Sequence, residues 1–185
     1  MRNPEETKRR LLSAATTEFA ALGIAGARVD QVAETAGCNK QSIYRYFGSK
    51  EGLFDAVYDQ MVVQTISSVP MDAFDLPAYA GKLFDWYLAH PEVLRLAAWQ
   101  QLEGRASGDA PSVAMQAGLD KVRLIKAAQQ AGAVSKSIPA EHLLVLILRM
   151  STAQLDYDRL HTSLRKTLRA AMIEAVRKLV ATVPV

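Results

Sequence analysis

Residues 29–53 constrain the fold of this chain most strongly, because they predict two short helices joined by a tight turn. Apolar residues recur at helical spacing over residues 29–36. Gly37 can adopt the left-handed backbone that ends a helix, and Asn39 can cap a second helix over residues 40–47. A further helix is predicted to begin directly afterwards. The segment therefore predicts a helix-turn-helix.

The second of these helices, KQSIYRYF, has an apolar and a polar face. Ile43 and Phe47 are four residues apart on the apolar face, and Gln41 and Arg45 fall on the opposite face. Cationic and hydroxyl side chains bind DNA phosphates, and glutamine or arginine can hydrogen-bond base edges. The residues predicted to contact DNA are Lys40, Gln41, Ser42, Tyr44, Arg45 and Lys50. A solvated polar face is the alternative, but within a helix-turn-helix we favour DNA, with Gln41 and Arg45 as candidates for base contact.

The N-terminal part of the chain resembles the DNA-binding domain of the tetracycline-repressor-like (TetR) family. The matching segments are AATTEFAALG at 14–23, VDQVAETAG at 29–37 and SIYRYFGSKEGLF at 42–54. The resemblance implies a DNA-binding transcriptional regulator in which Tyr44 and Lys50 bind phosphates. The family usually has Thr or Ser directly before the second helix, where this chain has Arg28. That exchange loses a hydroxyl cap but adds a cation that can reach a phosphate.

Positive charge is concentrated with the predicted helix-turn-helix. Residues 1–50 hold 8 Lys and Arg against 5 Asp and Glu, whereas the remaining residues hold 14 of each class. Attraction to DNA phosphates requires such an excess. We expect residues 1–50 to form the DNA-binding domain and residues 51–185 to form a helical ligand-binding and dimerisation domain. Residues 90–105 also resemble a segment found in one subset of TetR C-terminal domains.

The chain is predicted to be all-α with about nine helices, because glycine and proline punctuate it and no stretch alternates like a strand. The helices outside the helix-turn-helix core are predicted over residues 4–22, 49–67, 77–89, 91–104, 110–131, 139–158 and 161–182. The two domains are expected to meet in or beside the helix over residues 49–67. A movement of that helix can therefore transmit a change in one domain to the other.

The last two predicted helices have more apolar surface than one side of a helix can bury. Residues 143–148 are apolar all round, and such a helix needs cover on every side. One interpretation is that both helices complete the core of the monomer. The interpretation that we favour, which the TetR resemblance also implies, is that helices 139–158 and 161–182 pair with their copies in a homodimer. Leu168 and Leu179 are then predicted to face the partner subunit.

Aromatic and methionine residues cluster in the helices that follow the helix-turn-helix. Core packing explains each of them singly, but as a group they suit an apolar pocket for a small-molecule effector. The candidate ligand-binding residues are Tyr58, Met61, Tyr79, Trp86, Trp99 and Met115. The sequence thus predicts a repressor that binds a palindromic operator as a dimer and is released by a small apolar or amphipathic ligand. The alternative is a ligand-independent DNA-binding protein on the same scaffold.

Other functional classes have little support in the sequence. It contains no Gly-rich phosphate loop, nucleophile elbow, paired-carboxylate motif or metal-ligand spacing, so no catalytic residue, cofactor or metal is predicted. Cys38 is expected to pack as a small apolar residue rather than to act as a redox switch. A single cysteine and a charged N-terminus without a signal peptide indicate a cytoplasmic protein. The longest apolar run is too short to span a membrane.

Overall fold

The computed structural model describes residues 3–103, 112–153 and 162–182, with side chains from residue 166 onward in the last segment. These residues form nine α-helices and no strand, which confirms the predicted all-α class. The helices are α1 (Pro4–Gly26), α2 (Val29–Thr35), α3 (Lys40–Phe47), α4 (Lys50–Ser68), α5 (Leu76–Ala89), α6 (Pro91–Leu102), α7 (Val113–Gln130), α8 (Ala140–Ser151) and α9 (Thr162–Val180). None of them combines the length and the apolar character that crossing a membrane requires.

Helix α1 is longer than the predicted helix over residues 4–22, but its last turn is interrupted. Gly23 has a φ of 70° and a ψ of −178°, so the backbone leaves helical geometry there before the helix resumes. A Cβ atom at Gly23 would lie 2.8 Å from Cδ2 of Trp99. The position therefore excludes larger residues both because of its positive φ and because the indole packs directly on the backbone.

Helix α8 ends at Ser151, whereas the sequence predicted a helix over residues 139–158. Thr152 has a φ of −97° and a ψ of 2°, and its N–H donates to the carbonyl of Arg149. That tighter bond is typical of a terminal helical turn. The predicted helix was too long because apolar spacing does not mark where a helix stops. Residues 154–158 of the predicted helix lie outside the described residues.

Contacts divide the chain into two compact units, residues 1–63 with 91–110 and residues 64–90 with 111–185. In the first unit, α1 packs against α2 and α6, and α2 packs against α3. Its most deeply buried side chains are Leu11, Ala15, Phe19, Ile43, Leu53, Phe54 and Leu96. The predicted functional boundary after residue 50 stays a prediction.

The second unit has a core of its own. Helix α5 packs against α8 and α9, and α7 packs against α8. The side chains at its centre are Leu76, Leu83, Ile125, Leu143, Ile147 and Val176, all fully buried. At the edge of this core, Arg169 on α9 donates two hydrogen bonds of 2.7 Å to the carboxylate of Asp85 on α5. This bidentate pair fixes the register of the two helices.

Candidate nucleic-acid interface

The turn between α2 and α3 is held by local hydrogen bonds. Gly37 has a φ of 59°, and the N–H of Cys38 donates to the carbonyl of Ala33 at 2.9 Å. The carboxamide oxygen of Asn39 accepts from the backbone N–H of Ser42 at 2.9 Å and from its hydroxyl at 2.7 Å. These contacts satisfy donors that a helix start would otherwise leave unpaired. Helix α3 therefore begins at the residue that the sequence predicted.

Helix α3 has one buried and one exposed side. Ile43 is fully buried in the core of the first unit, and Phe47 packs against that core. Gln41, Tyr44 and Arg45 are exposed on the other side, where 46% of the Tyr44 surface is accessible. The first unit thus holds three of the predicted DNA-contacting side chains on one free surface.

Arg45 is held in place by its neighbour along the helix. Its guanidinium carbon lies 4.7 Å from the ring centroid of Tyr46, and its Nη2 donates to the Tyr46 hydroxyl at 2.9 Å. Ordering a long side chain on binding costs conformational entropy. The contact with Tyr46 meets part of that cost before any ligand is bound.

Two other predicted DNA contacts already have partners within the first unit. The Lys40 ammonium lies 3.0 Å from the carboxylate of Asp30, and the hydrogen bond that it donates to this carboxylate raises the pKa of Lys40. The Ser42 hydroxyl is engaged by Asn39 in the helix cap. Both residues lie at the start of α3, so they help to form the surface. Their contact with DNA stays a prediction.

Arg28 and Lys50 flank the helix-turn-helix at the end of α1. The Lys50 ammonium donates to the carbonyls of Ala27 at 3.1 Å and Ala25 at 3.3 Å, where a cation is favourable at a helix C-terminus. Arg28 is exposed, no side chain caps α2, and the Arg28 backbone N–H donates to the carboxylate of Glu18 at 3.1 Å. Lys50 therefore stabilises the end of α1 in addition to its predicted phosphate contact. The exposed Arg28 side chain is accessible for a contact with DNA.

Arg10 is a functional-site residue that the sequence did not single out. Its Nη2 donates to the carbonyl of Ala36, to that of Gly37 at 3.0 Å and to the sulfur of Cys38 at 3.3 Å. These groups form the turn between α2 and α3, so one guanidinium from α1 holds the turn in place. A cluster of basic residues near the start of α1 was visible in the sequence. Nothing in it distinguished Arg10 from its neighbours.

Gly52 is the second residue that sequence reasoning missed. A Cβ atom there would overlap the carbonyl oxygen of Phe47, the last residue of α3. Its N–H donates to the hydroxyl of Ser49 at 3.0 Å, which caps α4 as predicted. The absence of a side chain at Gly52 therefore sets how closely α4 follows α3. One indication of this role was visible in the sequence, because Gly52 lies three residues after the predicted start of the helix at residue 49.

Cys38, the chain's one cysteine, is engaged in the turn and packs against the core of the first unit. Its sulfur also donates to the carbonyl of Ala36 at 3.3 Å. Within the residues that the structure describes, no three His, Cys, Asp or Glu side chains are grouped to hold a metal ion.

The six predicted ligand residues are divided between the two units. Three of them pack against the core of the first unit: Tyr58, Met61 and Trp99. In the second unit, Tyr79 is buried in the core, Trp86 packs against that core, and Met115 is 59% exposed on α7. The structure thus does not bring the six together within one unit. Their role in ligand binding stays a prediction.

The second unit contains a cavity of about 490 Å³ between the end of α4 and α7. Its apolar lining consists of Ile66, Pro70, Met71, Val113, Ala117 and Leu124. Its polar lining consists of Gln116, Asp120 and Lys121. The volume lies within the range of roughly 300–1,000 Å³ that small-molecule pockets occupy. None of the six residues predicted from the aromatic pattern lines this cavity, because its wall is mostly aliphatic.

Two family profiles match the chain over most of its length. One, described as bacterial regulatory proteins of the tetR family, covers residues 11–57. The other, described as the tetracyclin repressor-like C-terminal domain, covers residues 75–182, more than half of the chain. This chain belongs to the TetR family. It is a DNA-binding transcriptional regulator, and the α2–turn–α3 segment is its family helix-turn-helix.

Individual relatives agree with membership of the TetR family. The HTH-type transcriptional repressor SCO4008 of Streptomyces coelicolor is 40% identical over 151 residues, which are 81% of this chain and 79% of SCO4008. The solved structure of SCO4942 from Streptomyces coelicolor has a TM-score of 0.79 at 32% identity, covering 94% of this chain and 98% of that one. FadR from Bacillus subtilis, solved in complex with stearoyl-CoA, has a TM-score of 0.69 over 94% of this chain and 99% of its own. At 17% identity, FadR supports the fold alone.

Proposed function

We propose that this TetR-family regulator binds a palindromic operator as a homodimer, represses transcription there and is released by a small apolar or amphipathic ligand. The observation that carries the proposal is the exposed side of α3, where Gln41, Tyr44 and Arg45 lie opposite the buried Ile43. A helix of this length reads only a few base pairs, so useful specificity requires two copies related by a two-fold axis. The similarity to the repressor SCO4008 supports repression rather than activation.

In this proposal the exposed residues have two different roles in DNA recognition. Gln41 and Arg45 contact base edges, where a good bidentate contact discriminates by about 1–3 kcal/mol. Tyr44 and Arg28 bind phosphates and set the register of the unit on the duplex. Three further residues are proposed to contact phosphates: Lys40, Ser42 and Lys50.

The proposed dimer interface lies on α8 and α9. Val145 and Leu146 on α8 are 57% and 41% exposed in the single chain, so they form an apolar surface that a partner can cover. Leu168 and Leu179 on α9, which the sequence predicted to face a partner, pack in part against the core of their own unit. Val145 and Leu146 are therefore the sharper positions at which to test dimerisation.

The proposed release by a ligand involves α4. This helix begins at Lys50 in the first unit, and its last turns, which include Ile66 of the cavity wall, belong to the second. A ligand that moves α4 changes the spacing of the two recognition helices in the dimer. A ligand that binds the DNA-free form 100-fold more tightly weakens operator binding by about 2.7 kcal/mol.

The test begins with selection of genomic fragments that the full chain binds, followed by mobility-shift titrations on the operator and on a single half-site. We expect the whole palindrome to bind far more tightly than the half-site. Gln41→Ala should relax base preference at particular positions, whereas Tyr44→Phe should weaken binding to all duplexes alike. If Gln41→Ala and Arg45→Ala both leave base preference unchanged, the assignment of base contacts is wrong.

Dimerisation is tested separately, by sedimentation of the double variant Val145→Glu and Leu146→Glu. Burying unpaired charge is strongly unfavourable, so we expect folded monomers that bind the palindrome no better than a half-site. An unchanged dimer would place the interface elsewhere. A screen in which no small molecule alters operator affinity would favour the ligand-independent alternative.

A further inference from the structure

The cavity of the second unit carries a cation that no described carboxylate neutralises. Lys121 on α7 lines the cavity, and its Nζ lies 5.9 Å from the ring centroid of Tyr79. Within the described residues, Lys121 forms no ion pair with an Asp or Glu side chain. Burial lowers the pKa of Lys121, as expected for an ammonium that loses water without gaining a counterion.

The acidic residue of the cavity wall does not supply the missing counterion, because its carboxylate is engaged elsewhere. Asp120 accepts a hydrogen bond from Gln116 at 3.1 Å and one from Arg123 at 2.6 Å. The guanidinium of Arg123 therefore neutralises Asp120. Apart from Gln116, the rest of the wall is apolar, so Lys121 is the one charged group of the wall without an oppositely charged partner among the described residues.

The tyrosine whose ring lies beneath the Lys121 ammonium carries a second unsatisfied polar group. The Tyr79 side chain is 2% exposed, and its buried hydroxyl has no hydrogen-bond partner among the residues that the structure describes. Buried polar groups without partners are uncommon in folded proteins. Among the described residues, Lys121 thus lacks a counterion and Tyr79 lacks a hydrogen-bond partner, and an anionic ligand beside Lys121 would supply the counterion.

We propose that the cavity binds a small anionic amphiphile, with one carboxylate beside Lys121 and an apolar chain along Ile66, Met71 and Leu124. The inference rests on the proposed function only in taking this cavity as the effector site, and it adds the chemical class of the effector. A neutral amphiphile leaves the Lys121 charge uncompensated, and a cationic one adds repulsion. The aliphatic wall favours a chain over a polar metabolite.

The test compares three probes of the same chain length by titration calorimetry on the full chain without DNA. They are decanoate and decyltrimethylammonium, each kept below the concentration at which it forms micelles, and decanol, kept below its solubility in water. We expect saturable decanoate binding at one site per chain, at least 10-fold tighter than decanol, and no saturable binding of the cation. Lys121→Met should weaken decanoate at least 10-fold while leaving decanol unchanged.

Two further variants keep the test specific. Lys82→Met removes an exposed lysine of the same unit outside the cavity wall, so it should bind decanoate like the unaltered chain. Ala117→Trp fills the cavity and should abolish binding of decanoate and decanol alike. Circular dichroism and melting curves establish that each variant is folded, and Lys121→Gln replaces Lys121→Met if the latter does not fold.

The outcomes separate this inference from the proposed function. Equal affinity for decanoate and decanol, or decanoate binding that is the same in the unaltered chain and Lys121→Met, overturns the inference. So does the absence of decanoate binding, even if an uncharged molecule releases the operator, in which case the proposed function stands. If decanoate binds through Lys121 but leaves operator affinity unchanged, the anion site stands and release by this ligand class fails.

Discussion

Two cationic side chains of the first unit, Arg10 and Lys50, differ from Lys121 of the second unit in what they contact. In the first unit, Arg10 donates to carbonyls of the α2–α3 turn and Lys50 donates to carbonyls at the end of α1. In the second unit, Lys121 lines a mostly apolar cavity and forms no ion pair with a carboxylate among the described residues. Cations bonded to the backbone fix the shape of a surface before DNA arrives. A desolvated cation without a counterion instead lowers stability until a ligand of opposite charge binds.

This contrast predicts that equivalent changes will have different consequences in the two units. Substitutions that disturb packed backbone in the first unit should reduce both stability and DNA binding. Substitutions that remove an unsatisfied group from the second unit should increase stability and reduce only the response to a ligand.

The largest effect is expected at Gly52. A Cβ atom there overlaps the carbonyl oxygen of Phe47, which cannot move without displacing the end of α3. We expect Gly52→Ala to lower the free energy of unfolding by about 3 kcal/mol and to abolish operator binding. The control is Gly118→Ala in α7, where no described atom outside the local helix backbone and the adjoining residues lies within 4 Å of the added carbon. It should raise the free energy of unfolding by up to about 1 kcal/mol, because alanine favours a helix.

Urea unfolding of the two glycine variants measures this difference directly. If Gly52→Ala proves as harmless as Gly118→Ala, then the junction between α3 and α4 is not closely packed. The first unit would then lack the rigidity that the comparison assigns to it.

A smaller effect is expected at Arg10. Arg10→Met leaves the carbonyls of Ala36 and Gly37 without their charged donor, and we expect a loss of about 2 kcal/mol in the free energy of unfolding. Operator affinity should fall as well, because the turn positions α3. The control is Arg9→Met, which removes a side chain that is 72% exposed and paired with Glu6. Its unfolding midpoint should be nearly unchanged, since exposed ion pairs contribute little.

Comparable stability losses in the two arginine variants would show that the guanidinium of Arg10 does not act through the turn. Amide hydrogen exchange at Gly37 and Cys38, whose N–H groups donate to the carbonyls of Glu34 and Ala33, gives a second readout. Only Arg10→Met should accelerate it, because only that variant loosens the turn.

The smallest effect, and one of opposite sign, is expected at Lys121. Lys121→Met replaces a desolvated ammonium by an apolar side chain of similar length, and we expect the free energy of unfolding to rise by about 1 kcal/mol at neutral pH. The folded pKa of Lys121 is lowered from 10.5, so the native state binds this proton less readily than the unfolded chain does. The free-energy cost of keeping Lys121 charged in the folded protein is fully present below the folded pKa. It disappears as the pH rises toward 10.5, where the side chain is deprotonated.

The gain in the free energy of unfolding that Lys121→Met gives over the unaltered chain should therefore decrease as the pH rises from the lowered pKa of Lys121 to 10.5. Denaturant unfolding of both proteins across this range measures it. An advantage that is constant with pH would contradict the assignment, and so would a Lys121→Met variant that is less stable at neutral pH.

Local features of the helix-turn-helix were predictable because they depend on neighbouring residues. The cap at Asn39 and the left-handed Gly37 follow from preferences of single residue types, and the observed bounds of α3 match the predicted ones. The contact between Arg10 and the α2–α3 turn was not predictable. It joins residues 26 to 28 positions apart, and no periodic pattern marks which of several basic residues makes it.

The second unit was harder to predict because its site depends on packing rather than on a motif. The aromatic residues that suggested a pocket largely pack into the two cores, as Tyr79 and Trp99 illustrate. The cavity wall instead comes from aliphatic side chains of α7 and the end of α4, and such residues occur throughout the chain. The end of α8 at Ser151 was missed for a related reason, since apolar residues continue a pattern beyond the hydrogen bonds that define the helix.

The close packing of Trp99 on Gly23 has a spectroscopic consequence. The chain has two tryptophans, and they belong to different units. Trp99 lies against the backbone of α1 in the first unit, whereas Trp86 stacks on His90 in the second with 3.7 Å between ring centroids. Replacing either one by phenylalanine leaves a single tryptophan in a known unit, and excitation at the long-wavelength edge of the indole absorption selects it over the six tyrosines. The emission of each variant then follows the melting of the unit that contains the remaining tryptophan, without any attached label.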